Sequence, residues 1–105
     1  MPNYARRRDA LQSHRDSIAR AFGIQVHDTS QMAAYEPGFP DAIYCKDGRS
    51  VFVEYKGSAK EPLTEAEKRW HRDFQGQAVI VRSDEDALRL ARELRGIPAG
   101  GNDGE

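Results

Sequence analysis

An α/β domain built on a mixed central sheet is the fold class this sequence predicts, on three observations. Segments with a helical apolar period and segments with strand-like alternation follow one another in the order helix, strand, strand, strand, helix, strand, helix. The dipeptide Asp47-Gly48 sits between two apolar runs, which makes the second and third strands an antiparallel hairpin. A helix then separates the third strand from the short apolar run Ala78 to Val81, so the chain reaches its last strand by a right-handed crossover.

Arg7 to Phe22 reads as the first helix. Leu11, Ile18 and Phe22 fall on one side with Ala10, Ser17 and Ala21 beside them, the opposite face is charged, and Gly23 supplies a stop. Ile24 to Asp28 alternates as a first strand, and Glu36, Pro37, Gly38, Phe39 and Pro40 mark a turn-rich approach to the second, Asp41 to Lys46. The third strand is Ser50 to Lys56. Beyond the polar loop Gly57 to Pro62, Thr64 and Glu67 form a capping box for a helix running to Phe74, with Ala66, Trp70 and Phe74 as its inward stripe. Gly76 ends that helix, and Ser83 caps a final one with Asp84, Glu85 and Asp86 in its first turn and Ala87, Leu88, Ala91 and Leu94 on its core face. Residues 1–96 are expected to form a single domain, with a loose Gly-rich tail at 97–105.

A chain of 105 residues is the size of one compact domain. Its composition, 31% charged and 38% hydrophobic, contains no apolar run approaching the roughly 20 residues that cross a bilayer, so no membrane partner is expected and a cytoplasmic location is. The single Cys45 excludes an internal disulfide and a thiolate zinc site, and it reads as core filling. Net charge is only -1, but basic residues cluster locally: Arg6, Arg7, Arg8, Arg15 and Arg20 near the start, then Lys56, Lys60, Lys68, Arg69 and Arg72. The default reading of such clusters is a solvated helix face. With a phosphate-bearing substrate, Arg6, Arg7, Arg8, Lys60, Lys68 and Arg72 become the candidate DNA contacts.

Strand alternation places Phe52, Glu54 and Lys56 on one face of the third strand and Val51, Val53 and Tyr55 on the other. Closing the hairpin at Asp47-Gly48 brings Asp41 level with the end of that strand, beside Glu54 and Lys56. Taken singly, Asp41 is a turn acid and Glu54 with Lys56 a cross-strand pair; together, in an otherwise apolar strand, they cost burial energy unless they serve something. Two carboxylates suit the hard ion Mg²⁺, which polarises a phosphoryl oxygen and activates water for phosphodiester hydrolysis. Lys56 would then orient or help deprotonate that water, or stabilise charge on the pentacovalent phosphorus.

The segments Gly38-Phe39-Pro40-Asp41, Val53-Glu54-Tyr55-Lys56-Gly57, Leu63-Thr64 and Trp70-His71 resemble the successive motifs of the PD-(D/E)XK nucleases. More narrowly they are similar to the short, phage-like single-domain members of the virus-type replication-repair nuclease group, over a span from Arg6 to Leu94. The resemblance implies a restriction-endonuclease-like αβββαβ core with a further C-terminal helix. It also implies a metal-dependent DNA endonuclease whose Mg²⁺, replaceable by Mn²⁺, is held by Asp41, Glu54 and the Tyr55 backbone carbonyl, with Lys56 at the nucleophilic water. The family usually carries a Gln on the helix after the third strand, where this sequence has Glu67, and a Glu or Gln on the first helix, where Gln12, His14 and Asp16 are the candidates. His71, four residues past Glu67, faces either the site or solvent. Branched or structured DNA is one expected substrate, and a homodimer would let two sites address two strands. A nucleic-acid-binding module of the same fold, weak in catalysis, is the alternative.

Overall fold

A two-residue turn sets the sheet. Asp47 and Gly48 both have positive φ, 53° and 83°, and Lys46 pairs with Arg49 across them, the geometry of a type I′ hairpin. In the computed structural model, which describes residues 2–96 and side chains from Arg8 onward, the chain folds as a mixed α/β domain. Its elements are α1 (Pro2–Ala21), β1 (Gln25–Asp28), β2 (Ala42–Lys46), β3 (Arg49–Tyr55), α2 (Glu65–Asp73), β4 (Ala78–Val81) and α3 (Asp84–Leu94). The tail expected at 97–105 and the Arg6 and Arg7 side chains lie outside the described part. The sheet runs β1-β2-β3-β4, antiparallel through β3, with β4 parallel to β3 after the α2 crossover. No described helix is long and apolar enough to cross a membrane.

α1 and α3 pack on one face of the sheet, and the core lies between: Ala19 and Ile24 with Val26, Ala42, Tyr44, Val51, Val53, Tyr55 and Val81 from the strands and Ala87, Ala91 and Leu94 from α3. α2 lies on the other face. Several expectations are corrected here. α1 begins at Pro2, earlier than Arg7, and a 3-10 helix spans Ser30–Ala34 in a stretch expected to be irregular. Ala10, Ser17 and Ala21 are exposed, whereas Arg15 and Asp16 are buried with Ala19. The reason is local: these two polar side chains find carbonyl, hydroxyl and amide partners above the strand ends, so the helix need not present an all-apolar face there. Trp70 and Phe74 are only half-buried, in an aromatic cluster with Phe39 and Phe52 open to solvent on one side; Trp70 stacks on Phe74 at 4.4 Å between ring centroids. Cys45 is likewise half-buried, toward the hairpin end.

Gly38 shows why the approach to β2 has its sequence. Its φ is +89°, and a Cβ there would strike the backbone carbonyl of Ala66 in the first turn of α2. The glycine therefore lets the loop before Asp41 lie directly against α2, and buried Pro40 follows it. Gly23, at φ +79°, has open space around it. Gly38→Ala is accordingly expected to cost about 3 kcal/mol in urea unfolding and Gly23→Ala about 1 kcal/mol, because only the former adds a backbone clash to the positive-φ strain. Equal losses would show that the α2 contact is unimportant.

Candidate functional site

The site forms where β2 has just begun and β3 has just ended. Asp41 precedes β2, and its amide donates to the Val53 carbonyl at 3.0 Å. Beyond it β2 offers Tyr55 no carbonyl, and the Asp41 carboxylate substitutes: Oδ2 accepts from the Tyr55 amide at 2.8 Å. The Asp41 carbonyl accepts in turn from Thr29 N at 2.9 Å and from Gln12 Nε2 at 3.0 Å. Asp41 is thus fixed through both its backbone and its side chain.

Glu54 projects from β3 into the protein, 1% exposed, and Lys56 follows at 3%. Lys56 Nζ donates to Glu67 Oε1 at 2.7 Å and lies 3.7 Å from Glu61 Oε2 and 4.0 Å from Glu54 Oε2. Glu67 is shared, since the same oxygen closes the capping box by accepting from Thr64 N at 2.8 Å. Burial pushes the Glu67 carboxyl up, but the hydrogen bonds from Lys56 and Thr64 outweigh it and hold the group below its usual range. Glu54 is placed differently, since the contact it shares with the Asp41 carboxylate favours its protonated form. Its Oε1 is buried without a hydrogen-bond partner, and burial together with the negative charges of Asp41 and Glu67 pushes its carboxyl up to about 10. Asp41 is also raised, chiefly by burial, against the opposing pull of the Tyr55 amide. Burial and mutual repulsion thus push both carboxyls of the pair upward, Glu54 further than Asp41, and favour a proton shared between them.

The first-helix candidates separate. Gln12 bridges the Asp41 carbonyl to Asp16, whose Oδ2 lies 3.2 Å from Gln12 Nε2. Asp16 accepts from the Tyr55 hydroxyl at 2.7 Å, and Tyr44 meets that hydroxyl at 2.6 Å, so a buried chain of polar groups runs from α1 into β2 and β3. Burial raises Asp16, and it raises Tyr44 to about 12. His14 is instead exposed and pairs with Asp84 of α3 at 3.2 Å. His71 faces inward: its Nε2 is buried without a partner, and burial lowers its pKa within the field of Glu67 and Lys56.

Of the expected DNA contacts with described side chains, Arg8 turns into the site. One of its nitrogens, Nη2, lies 3.1 Å from the Tyr55 carbonyl and 3.8 Å from Asp41 Oδ2, while Nη1 lies 3.9 Å from Glu61 Oε2. Lys60 is exposed; Lys68 and Arg72 are exposed but paired with Glu65 and Asp73. Three residues at the site escaped sequence reading. Arg15 is buried and donates to the Lys56 carbonyl at 2.7 Å and the Val81 carbonyl at 3.2 Å, tying the ends of β3 and β4 together. Glu61 caps Gly57 N, and Arg82 Nη1 reaches the carbonyls of Ser58, Ala59 and Glu61, pinning the loop that carries Glu61. The signal for Arg15 was its place one residue before Asp16 on the helix; Glu61 and Arg82 carried none.

Among the described residues, no three His, Cys, Asp or Glu side chains are grouped tightly enough to hold a metal ion unaided. The donor set at hand is the two carboxylates of Asp41 and Glu54 with the Tyr55 carbonyl. That set fits a hard divalent ion that keeps several waters, and a cation would give the orphaned Glu54 oxygen the partner it lacks. Comparison of the chain with protein-family models, curated proteins and solved structures returns no match.

The raised Glu54 carboxyl makes stability depend on pH. Folded and unfolded chains both hold the proton below the ordinary carboxylate value of 4.5, and stability falls as pH rises from there toward 10, because only the unfolded chain ionises in that window. Glu54→Gln removes the loss. Without added metal it is expected to be more stable than wild type by about 1 to 3 kcal/mol at pH 7, with a flatter dependence between pH 5 and 8 in urea titrations. Identical pH slopes for the two proteins would mean that Glu54 is not the group responsible.

Proposed function

We propose that this chain is a metal-dependent endonuclease acting on DNA, of the PD-(D/E)XK type and similar to the virus-type replication-repair nucleases. One observation carries the reading: Glu54, a buried carboxyl with an unpartnered oxygen, lies beside Asp41 and next to the Lys56 ammonium, at the adjoining ends of two strands. A buried acid without a donor is costly unless a cation or a proton completes it. The restriction-endonuclease-like core is part of the same proposal, supported by the order α1-β1-β2-β3-α2-β4 and by β4 running parallel to β3.

Asp41, Glu54 and the Tyr55 carbonyl would hold Mg²⁺ or Mn²⁺. When bound, the ion polarises the scissile phosphoryl oxygen and makes water a competent nucleophile at neutral pH. The rest falls to the chain itself. The Tyr55 amide and Gln12 fix Asp41, Glu67 holds the Lys56 ammonium at one end of the site, and Lys56 orients the attacking water and offsets negative charge developing on the phosphorus. Glu54 would hold the ion only as a carboxylate, so any proton on it would have to pass to solvent first.

The second reading, a nucleic-acid-binding module with little catalysis, draws on the burial of Lys56 and its tight pairing with Glu67. Nicking of supercoiled plasmid separates the two. Wild type is expected to cut with Mg²⁺ or Mn²⁺ and not with EDTA, and both Asp41→Asn and Lys56→Gln should lower the rate by about 100-fold or more. Asp41→Asn is the more telling variant, since an Asn oxygen still accepts from the Tyr55 amide, whereas loss of Lys56 takes the ammonium away from both Glu67 and Glu61. DNA binding without metal-dependent cutting would favour the second reading. A panel of flap, junction, single-stranded and duplex DNA identifies the substrate.

A further inference from the structure

A single nitrogen of Arg8 reaches the two oxygens that lead into this site. Nη2 donates to the Tyr55 carbonyl at 3.1 Å and lies 3.8 Å from Asp41 Oδ2, so a positive charge already sits between a backbone carbonyl and a carboxylate that the metal-dependent reading assigns to the ion. The other arm of the guanidinium points toward Glu61 at 3.9 Å. Four carboxyl groups gather here, Asp41, Glu54, Glu61 and Glu67, and Lys56 pairs most closely with Glu67. Arg8 is the cation that serves the Asp41 side. Its side chain remains 27% exposed, on the first part of α1, so it can swing to solvent without disturbing the core.

We infer that Arg8 is an internal competitor for the metal position, its guanidinium standing between Asp41 and the Tyr55 carbonyl until a divalent cation displaces it. The inference rests on the metal-dependent reading above. Two like charges cannot share oxygens a few ångströms apart, so ion and guanidinium exclude one another, and each weakens the binding of the other by the same factor. The metal-free site is kept electrostatically quiet by the protein's own side chain. Displacement frees a guanidinium, suited to bidentate phosphate contact, at the rim of the same site.

Mn²⁺ binding to the full chain, followed by the loss of the free-ion signal in electron paramagnetic resonance, tests this without any substrate. Arg8→Met keeps the apolar stem and removes the charge, and it is expected to bind Mn²⁺ at least about tenfold more tightly than wild type. Arg8→Lys, which keeps the charge, should stay close to wild type. Adding Asp41→Asn to Arg8→Met should abolish the gain. Equal affinities for wild type and Arg8→Met would overturn the inference while leaving the metal site standing. A gain that survives Asp41→Asn would overturn it too, by placing the ion elsewhere. Failure of every variant to bind would remove the metal-dependent reading, and this inference with it.

Discussion

Glu54 lies inside the protein, on β3 between Ile80 of β4 and the start of β2, and is only 1% exposed. The carboxyl is enclosed by Asp41, Glu67 and Lys56, and its Oε1 meets no donor. An ionised carboxyl in that position would face two neighbouring acids and only one ammonium, at 4.0 Å. It therefore keeps a proton, or it needs a cation. Much of the surrounding architecture follows from that constraint: the Lys56 to Glu67 pair withdraws one negative charge, the Tyr55 amide donates to Asp41 Oδ2, and Arg8 lies 3.8 Å from that same oxygen.

α1 serves this arrangement more than it serves the core. Its buried residues over the strand ends are Arg15 and Asp16, and each is satisfied by the sheet: Arg15 by the carbonyls of Lys56 and Val81, Asp16 by the Tyr55 hydroxyl. Gln12 then connects Asp16 to the Asp41 backbone. A polar helix face is stable there because every group finds a partner at hydrogen-bond distance, and it fixes strand ends that would otherwise fray. The opposite sheet face is looser. α2 contributes no fully buried residue and leans on an aromatic cluster, yet it brings Glu67 to Lys56 through the same capping box that starts the helix.

The parts of the site governed by short-range rules were legible in the sequence. Strand alternation placed Glu54 and Lys56 on one face, the Asp47-Gly48 turn fixed the register that puts Asp41 beside them, and the Thr64 to Glu67 spacing announced the cap. The rest depends on groups distant in the chain. Arg15 meets Lys56 and Val81 across 41 and 66 residues, and Arg8 meets Tyr55 across 47. Helical periodicity alone ranked both arginines as solvated or DNA-facing, because it weighs hydrophobicity and not the carbonyls a sheet leaves open at its ends. Glu67 looked like a departure from the expected Gln with a capping job, and its second job emerges only in the fold, where Lys56 Nζ lies 2.7 Å from it. Trp70 looked like core because its neighbours at helical spacing are apolar, but α2 covers too little of the sheet to bury it.

The protonation state of Glu54 bears on all of this at once, and the carboxyl ¹³C shift of that side chain reads it directly. With its carboxyl pushed up to about 10, Glu54 is expected to be protonated at pH 7 in metal-free protein and to become ionised on adding diamagnetic Mg²⁺. A Glu54 signal already ionised at pH 7 without metal, and unmoved by its addition, would contradict the account.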